Sequence, residues 1–421
     1  ALLLGLTAQV LTLEQAVSTA ERQQPTARQA RAQTDAARAR VLAARAPLLP
    51  QLTGTATYTR TTANFALRPG IVPSQFARSA SSSWATDNYF NFGLTASVLI
   101  YDFNQTIGRW RASEATAEST AETERATRLQ VVLNARAAFF NARAQKALVQ
   151  VAQENLANQE RHLTQIEGFV QVGTRPEIDL AQARTDRANA QVQLINAENN
   201  YAIAKAQLNQ AMGVEGGTDY DVADDNLGPV PGEDAGTDEL VGEAVRTRPD
   251  LRSVDRQIRS QQLTLSSVRG GYWPTLGAST GITDAGVVLS NLAWNWNASV
   301  TLTWSIFQGG LTYYGVRENE ATLTALDAQR DGLRQQIRVE IDQARLGVRA
   351  AKAALGAADE ALTNARERLR LAEGRYQTGV GNIIELGDAQ VALTTAAAQK
   401  VQSDYNLATA RAQLLRALGR R

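Results

Sequence analysis

The chain is 421 residues long, and its 43 Lys and Arg against 42 Asp and Glu leave a net charge of +1, so no global field gathers nucleic acid or an anionic surface. With no cysteine, one histidine and one methionine, thiol nucleophiles, disulfides, thiolate metal sites and a cysteine-linked lipid anchor are not expected. No apolar run of about 18 residues occurs, which excludes a transmembrane helix but not a β-barrel.

In chain order, Ala1-Leu2-Leu3-Leu4-Gly5-Leu6-Thr7-Ala8 reads as the remnant of a signal peptide, an apolar stretch ending in small residues without the basic start. A helix with Pro25 follows, and Pro50 leads into an alternating stretch predicted as a strand at about 51–60. A long loop is expected around Asn64 to Asp87. From Phe90 the even positions Phe90, Phe92, Leu94, Ala96, Val98 and Ile100 are apolar, while Asn91, Gly93, Thr95 and Ser97 alternate with them. That two-residue period predicts a strand over about 88–101 with one apolar face. A proline-free stretch then predicts a long helical hairpin over 106–213, with Val149, Leu156, Leu163 and Val170 recurring every seven residues.

Residues 214–236, rich in Gly, Asp and Pro, read as a linker. The second half, 237–421, repeats the order: a helix with Pro249, a strand at about 275–283 after Pro274, and a strand at about 294–304. In the latter Trp294, Trp296, Ala298, Val300, Leu302 and Trp304 alternate with Asn295, Asn297, Ser299, Thr301 and Thr303. A hairpin over 312–420 follows, carrying Leu355, Leu362, Leu369 and Tyr376 at seven-residue spacing. Laid on Glu373–Gly419 without a gap, Glu167–Gly213 matches at 17 of 47 positions, including Gly173 with Gly379. Two tandem copies, 9–213 and 237–421, are therefore expected. Strands of this length suit a membrane barrel with lipid-facing Phe90, Phe92, Leu94, Val98, Trp294, Trp296, Val300 and Leu302, but four strands cannot close one alone.

Pro50 and Pro274, the turn Ser305-Ile306-Phe307-Gln308-Gly309-Gly310, and the tips Gln171-Val172-Gly173-Thr174-Arg175-Pro176-Glu177-Ile178-Asp179-Leu180 and Gln377-Thr378-Gly379-Val380-Gly381-Asn382-Ile383-Ile384-Glu385-Leu386 together resemble the TolC-like outer-membrane efflux proteins over essentially the whole chain. The resemblance implies a mainly α homotrimer whose chains each give four strands to a 12-stranded barrel, continued by a coiled-coil tunnel in the periplasm. It implies a passive export duct in a tripartite efflux or type I secretion system, opened at its periplasmic end by an adaptor and an inner-membrane pump or transporter, and embedded in outer-membrane lipid. It also implies gate positions: Tyr376 at a constriction held by polar contacts, Glu385 and Asp388 as acidic rings, and Asp179 in the place of Glu385 in the first copy. Gly381 stands where some members carry an arginine and Gln182 replaces an acid, so Arg175 is a candidate substitute lock. Gly173, Thr174, Gly379 and Val380 fall where the family meets its adaptor, although glycine also suits a tight reversal for backbone reasons alone.

No nucleophile, metal set or cofactor loop emerges, so neither an enzyme, a cofactor nor a nucleic-acid partner is expected. His162 reads as a satisfied or solvated imidazole without a carboxylate constellation. The alternative is a soluble periplasmic coiled-coil adaptor or scaffold, which would carry a compact β-domain outside the repeat.

Overall fold

The computed structural model describes residues 9–62, 64 and 83–421. The expected signal remnant 1–8 and most of the loop expected around Asn64 to Asp87 lie outside the described residues. The elements run β1 (Gln9–Leu11), α1 (Leu13–Gln23), α2 (Pro25–Arg45), β2 (Gln51–Thr62), β3 (Thr86–Tyr101), α3 (Gln105–Gln171), α4 (Glu177–Met212), β4 (Tyr220–Val222), α5 (Thr237–Thr247), α6 (Pro249–Gly270), β5 (Thr275–Val288), β6 (Asn291–Thr303), α7 (Leu311–Gln377) and α8 (Ile383–Ala417). The succession strand, two helices, two strands, two helices thus occurs twice. The chain divides into two compact units, one of Ala36–Glu118 with Arg256–Asp327 and one of Ser119–Asp255 with Ala328–Arg421 and the residues up to Asp35.

The first of these units holds an antiparallel sheet in the order β2-β3-β5-β6. Cross-strand partners share a face, so the register separates the side chains cleanly. Leu52, Ala56 and Tyr58 stand with Phe90, Phe92, Leu94 and Val98, then with Ala278 and Ile282, and finally with Trp294, Trp296, Val300 and Leu302. This face is bare in the chain: Trp294 is 74% and Val300 70% exposed. Arg60 and Asp284 interrupt it near the hairpin ends, Asp284 opposite Phe92 and Trp294. The other face carries Thr53, Thr57, Asn91, Thr95, Ser97, Ser279, Thr283, Asn295, Asn297, Ser299 and Thr301.

A bulge corrects the simple alternation at one place. Leu99 pairs with Gly277 but Tyr101 pairs with Leu276, so Ile100 is the extra residue and Tyr101 takes its place on the apolar face. Beyond it the aromatics gather: Phe103 stacks on Trp273 at 5.4 Å, and the Trp304 indole N–H donates to the Tyr272 carbonyl at 3.2 Å. The chain turns into α3 through Phe103 and Asn104, both at positive φ, and buried Asp102 accepts the Thr106 N–H at 2.7 Å. At the corresponding turn into α7, Gly309 and Gly310 supply the positive φ.

The other unit is built on helix packing. The Thr12 hydroxyl and Gln15 amide close a capping box at the start of α1, and prolines begin α2 and α6, where a missing N–H costs nothing. The long helices α3 and α7 have 67 residues each, about 100 Å at about 1.5 Å per residue. Their expected seven-residue stripe is buried in α7 at Leu362, Leu369 and Tyr376 and half-buried in α3 at Leu156 and Leu163. One core gathers Phe139, Phe140, Leu208, Met212 and Val222; another gathers Leu240, Leu251, Ile337, Ile341, Leu414 and Leu418.

The stretch 214–236, expected to be a linker, contains β4, which pairs in parallel with β1. Ion pairs fasten this stretch to the long helices. Asp221 accepts from Lys146 Nζ at 2.5 Å and from the Tyr201 hydroxyl at 2.7 Å, and buried Glu233 meets Lys352 at 2.7 Å and Arg411 at 3.1 Å. Burial pushes the Asp221 carboxyl up, but these bonds outweigh it and hold it below the usual range. Among the described residues no helix is long and apolar enough to cross a membrane.

Candidate functional site at the hairpin tips

Both hairpins reverse by the same backbone device. The Gly173 N–H donates to Val170 O and the Thr174 N–H to Phe169 O, as the Gly379 N–H does to Tyr376 O and the Val380 N–H to Arg375 O. These paired bonds close the last helical turn and need the glycine at positive φ, here 74° and 77°. A side chain at either glycine would meet open space. Val172 and Val380 are each 72% exposed beside them. Asn382 caps α8 by accepting the Glu385 N–H at 2.7 Å, whereas Pro176 gives α4 no side-chain cap.

Tyr376 is the point at which the hairpins join. It is 2% exposed and packs with Ile166, Ala183, Leu369, Leu386 and Ala389, so residues of α3, α4, α7 and α8 share one small core. The Arg175 guanidinium, from the first tip, lies 4.6 Å from the Tyr376 ring centroid. His162 meets the ring edge-on at 5.5 Å and Phe169 at 6.5 Å. Among the described residues the Tyr376 hydroxyl has no hydrogen-bond partner, and its ring is what meets the other hairpin. Burial, more than any charge, pushes its hydroxyl pKa up; Arg175 opposes this and Asp179 adds to it.

Beside this join lies a cavity of about 700 Å³, lined by α3, α4 and α8. His162, Asp179 and Asp186 line it together with Gln182 and Asp388, and Gln159 donates to Gln390 across it at 3.0 Å in a buried amide pair. Asp179 is buried, Asp388 is exposed, and Gln182 donates to Asp186 at 3.0 Å. Glu385 lines a different recess, with Glu367 and Arg368, and its carboxylate meets Arg375 at 3.1 Å. The chain therefore brings Tyr376, Arg175 and Asp179 together, but sets Glu385 and Asp388 in separate recesses. At Gly381, where some family members carry an arginine, a Cβ would lie 3.1 Å from the Arg375 carbonyl carbon, a tight contact that the neighbouring backbone would have to yield to.

The expectation for His162 is corrected. It is 8% exposed and faces carboxylates from a neighbouring helix. Burial lowers its pKa, with Asp186 and Asp179 pulling the other way. Sequence reading missed it because Asp179 and Asp186 lie on the return helix, beyond the turn. Among the described residues no cluster of His, Cys, Asp and Glu could hold a metal ion.

The sequence profile described as outer membrane efflux protein matches residues 16–214 and 240–420. The chain belongs to that family. Among curated relatives, SrpC, a solvent efflux pump outer membrane protein of Pseudomonas putida, is 25% identical over 317 residues, covering 72% of this chain and 64% of SrpC. The chain thus spans just under two thirds of that relative. The structure of CusC superposes with a TM-score of 0.83 at 20% identity, covering 100% of this chain and 95% of CusC. The CmeC outer membrane channel of Campylobacter jejuni gives 0.81 at 20% identity, covering 97% and 85%. These likenesses establish the mainly helical fold with its strands. Membership of an outer-membrane efflux family also separates the chain from the soluble adaptor alternative.

Proposed function

We propose that this chain is one subunit of a homotrimeric outer-membrane efflux channel, a passive duct with four strands per chain in a shared 12-stranded barrel. The observation that carries this reading is the sheet, with one bare apolar face, one hydroxyl- and amide-lined face, and unpaired backbone along both β2 and β6. In lipid such edges must be paired, and the simplest partner for β6 is β2 of a second copy. Three copies would make a closed ring with lipid outside and water inside.

The helical hairpins then form the periplasmic tunnel, with 9–213 and 237–421 as tandem repeats. In this reading Gly173, Thr174, Gly379 and Val380 meet a periplasmic adaptor, which couples the duct to an inner-membrane pump. The join at Tyr376, Arg175 and Asp179 makes the gate, with Glu385 and Asp388 charging the mouth. The exposed Val172 and Val380 beside each glycine support the tips as a contact surface. The test is extraction of the full chain from outer membranes in detergent: a heat-stable three-chain particle that conducts ions in planar bilayers is expected. A stable monomer that needs no detergent would end this reading.

A further inference from the structure

We propose that His162 is a proton sensor that loosens the join between the two hairpins as the surroundings acidify. The inference rests on reading the tips as the gate, but the sensor is a property of the join itself.

His162 is the only histidine in the chain, and no other type of side chain ordinarily changes charge between about pH 5 and pH 8. It sits at the contact of the hairpins, 8% exposed, with its ring edge-on to Tyr376 at 5.5 Å. The groups around it come from every neighbouring element. Gln159 on α3 is neutral and bonded to Gln390; the first tip brings Arg175, α4 brings Asp179 and Asp186, α7 brings Tyr376, and α8 brings Asp388 on the shared cavity.

This arrangement favours the neutral imidazole. Arg175 already occupies the Tyr376 ring at 4.6 Å, so a proton on His162 puts a second cation on the same aromatic group. A charge on a ring only 8% exposed also forfeits most of its hydration. The aspartates attract that proton, yet burial prevails and the imidazole stays below its ordinary value of 6.5.

The sign of the effect follows from linkage. The packed join binds the proton more weakly than a separated, hydrated join, so it loses stability as pH falls below the ordinary value and through the depressed one. Above the ordinary value both forms hold a neutral ring and the sensor is silent.

Hydrogen exchange on the assembled full chain at about pH 7.5 and about pH 5.5, corrected for intrinsic rates, tests this alongside bilayer conductance. The expected result is loss of tip protection on acidification in the parent and none in His162→Gln, which keeps a neutral polar side chain. Equal loss in both, or none in either, overturns the proposal. Loss confined to the parent with a rise in conductance supports sensor and gate together; the same loss without a conductance change supports the sensor and removes the gate reading. Should His162→Gln fail to assemble, Asp186→Asn withdraws a charge that favours the protonated ring in the packed join, so acidification should strip more tip protection from this variant than from the parent; an unchanged loss overturns the proposal.

Discussion

The Arg175 guanidinium sits 4.6 Å from the centre of the Tyr376 ring, so a residue of the first tip covers an aromatic residue of the second hairpin's long helix. The same ring carries a buried hydroxyl without a partner among the described residues. Cation and ring join the hairpins here, alongside the apolar core around Tyr376 and the buried Gln159–Gln390 hydrogen bond.

From this relationship Tyr376→Phe should be tolerated, since it deletes an unpaired polar atom and keeps the ring. Arg175→Ala should cost about 0.5 to 2 kcal/mol at the join, and Tyr376→Ala more, because it also empties a core position. Leak conductance in planar bilayers orders them: Phe near parent, Arg175→Ala higher, Tyr376→Ala highest. A leak in Tyr376→Phe equal to that of Arg175→Ala would show that the hydroxyl finds its partner on another chain.

If Glu385 and Asp388 charge the mouth of the proposed duct, they should contribute unequally. Glu385 is neutralised by Arg375 at 3.1 Å, whereas Asp388 is exposed on the cavity rim. Asp388→Asn should therefore lower cation preference more than Glu385→Gln, and the double variant should resemble Asp388→Asn. Reversal potentials in a salt gradient measure this, and indifference to both substitutions would place the carboxylates away from the ion path.

Sheet register gives a sharper expectation. Val300→Arg, on the apolar face, should impair membrane insertion by about 2 to 4 kcal/mol if it lies at the bilayer midplane, while Thr301→Arg on the opposite face should insert normally. Heat-modifiable gel mobility after refolding into vesicles separates the two. Equal failure of both would contradict the assignment of faces.

At the tips, alanine at Gly173 or Gly379 should cost about 1 to 2 kcal/mol from positive φ alone, because no neighbour stands in the way of the new carbon. Asparagine, which tolerates that conformation, should cost less. If the tips meet an adaptor, a bulky tryptophan should abolish export while asparagine does not, with trimer assembly intact in both. Export assays paired with gel mobility decide this.

Acid should also unfasten the connecting stretch. The Asp221 carboxyl is held below its ordinary value, so its ion pair contributes stability above that value and loses it as pH falls through the depressed one. Thermal melts should fall more steeply below about pH 4 in the parent than in Asp221→Asn, which has no such proton to take up.

Long periodic elements were legible in the sequence because each repeats its signal many times. The hairpins, the strand pairs and the paired tip glycines all lie where alternation, heptads and self-alignment put them. The three-residue strands β1 and β4 were not, since so short a segment completes too little alternation to register, and Gly, Asp and Pro around β4 argue for a loop. Ile100 was misplaced because a bulge adds a residue without altering composition. His162 escaped because its neighbours come from residues on α4 and α7, which periodicity along α3 does not report.

Arg175 and Gly381 occupy equivalent places in the two halves at an offset of 206, yet one reaches out to Tyr376 and the other lies tight against the backbone of Arg375. A ring assembled from six identical single-hairpin chains would have to place the same residue at both positions, either six cations or none. Carrying both hairpins on one polypeptide frees the twin positions to diverge, so that in the proposed ring alternate hairpins would serve as latch and keeper.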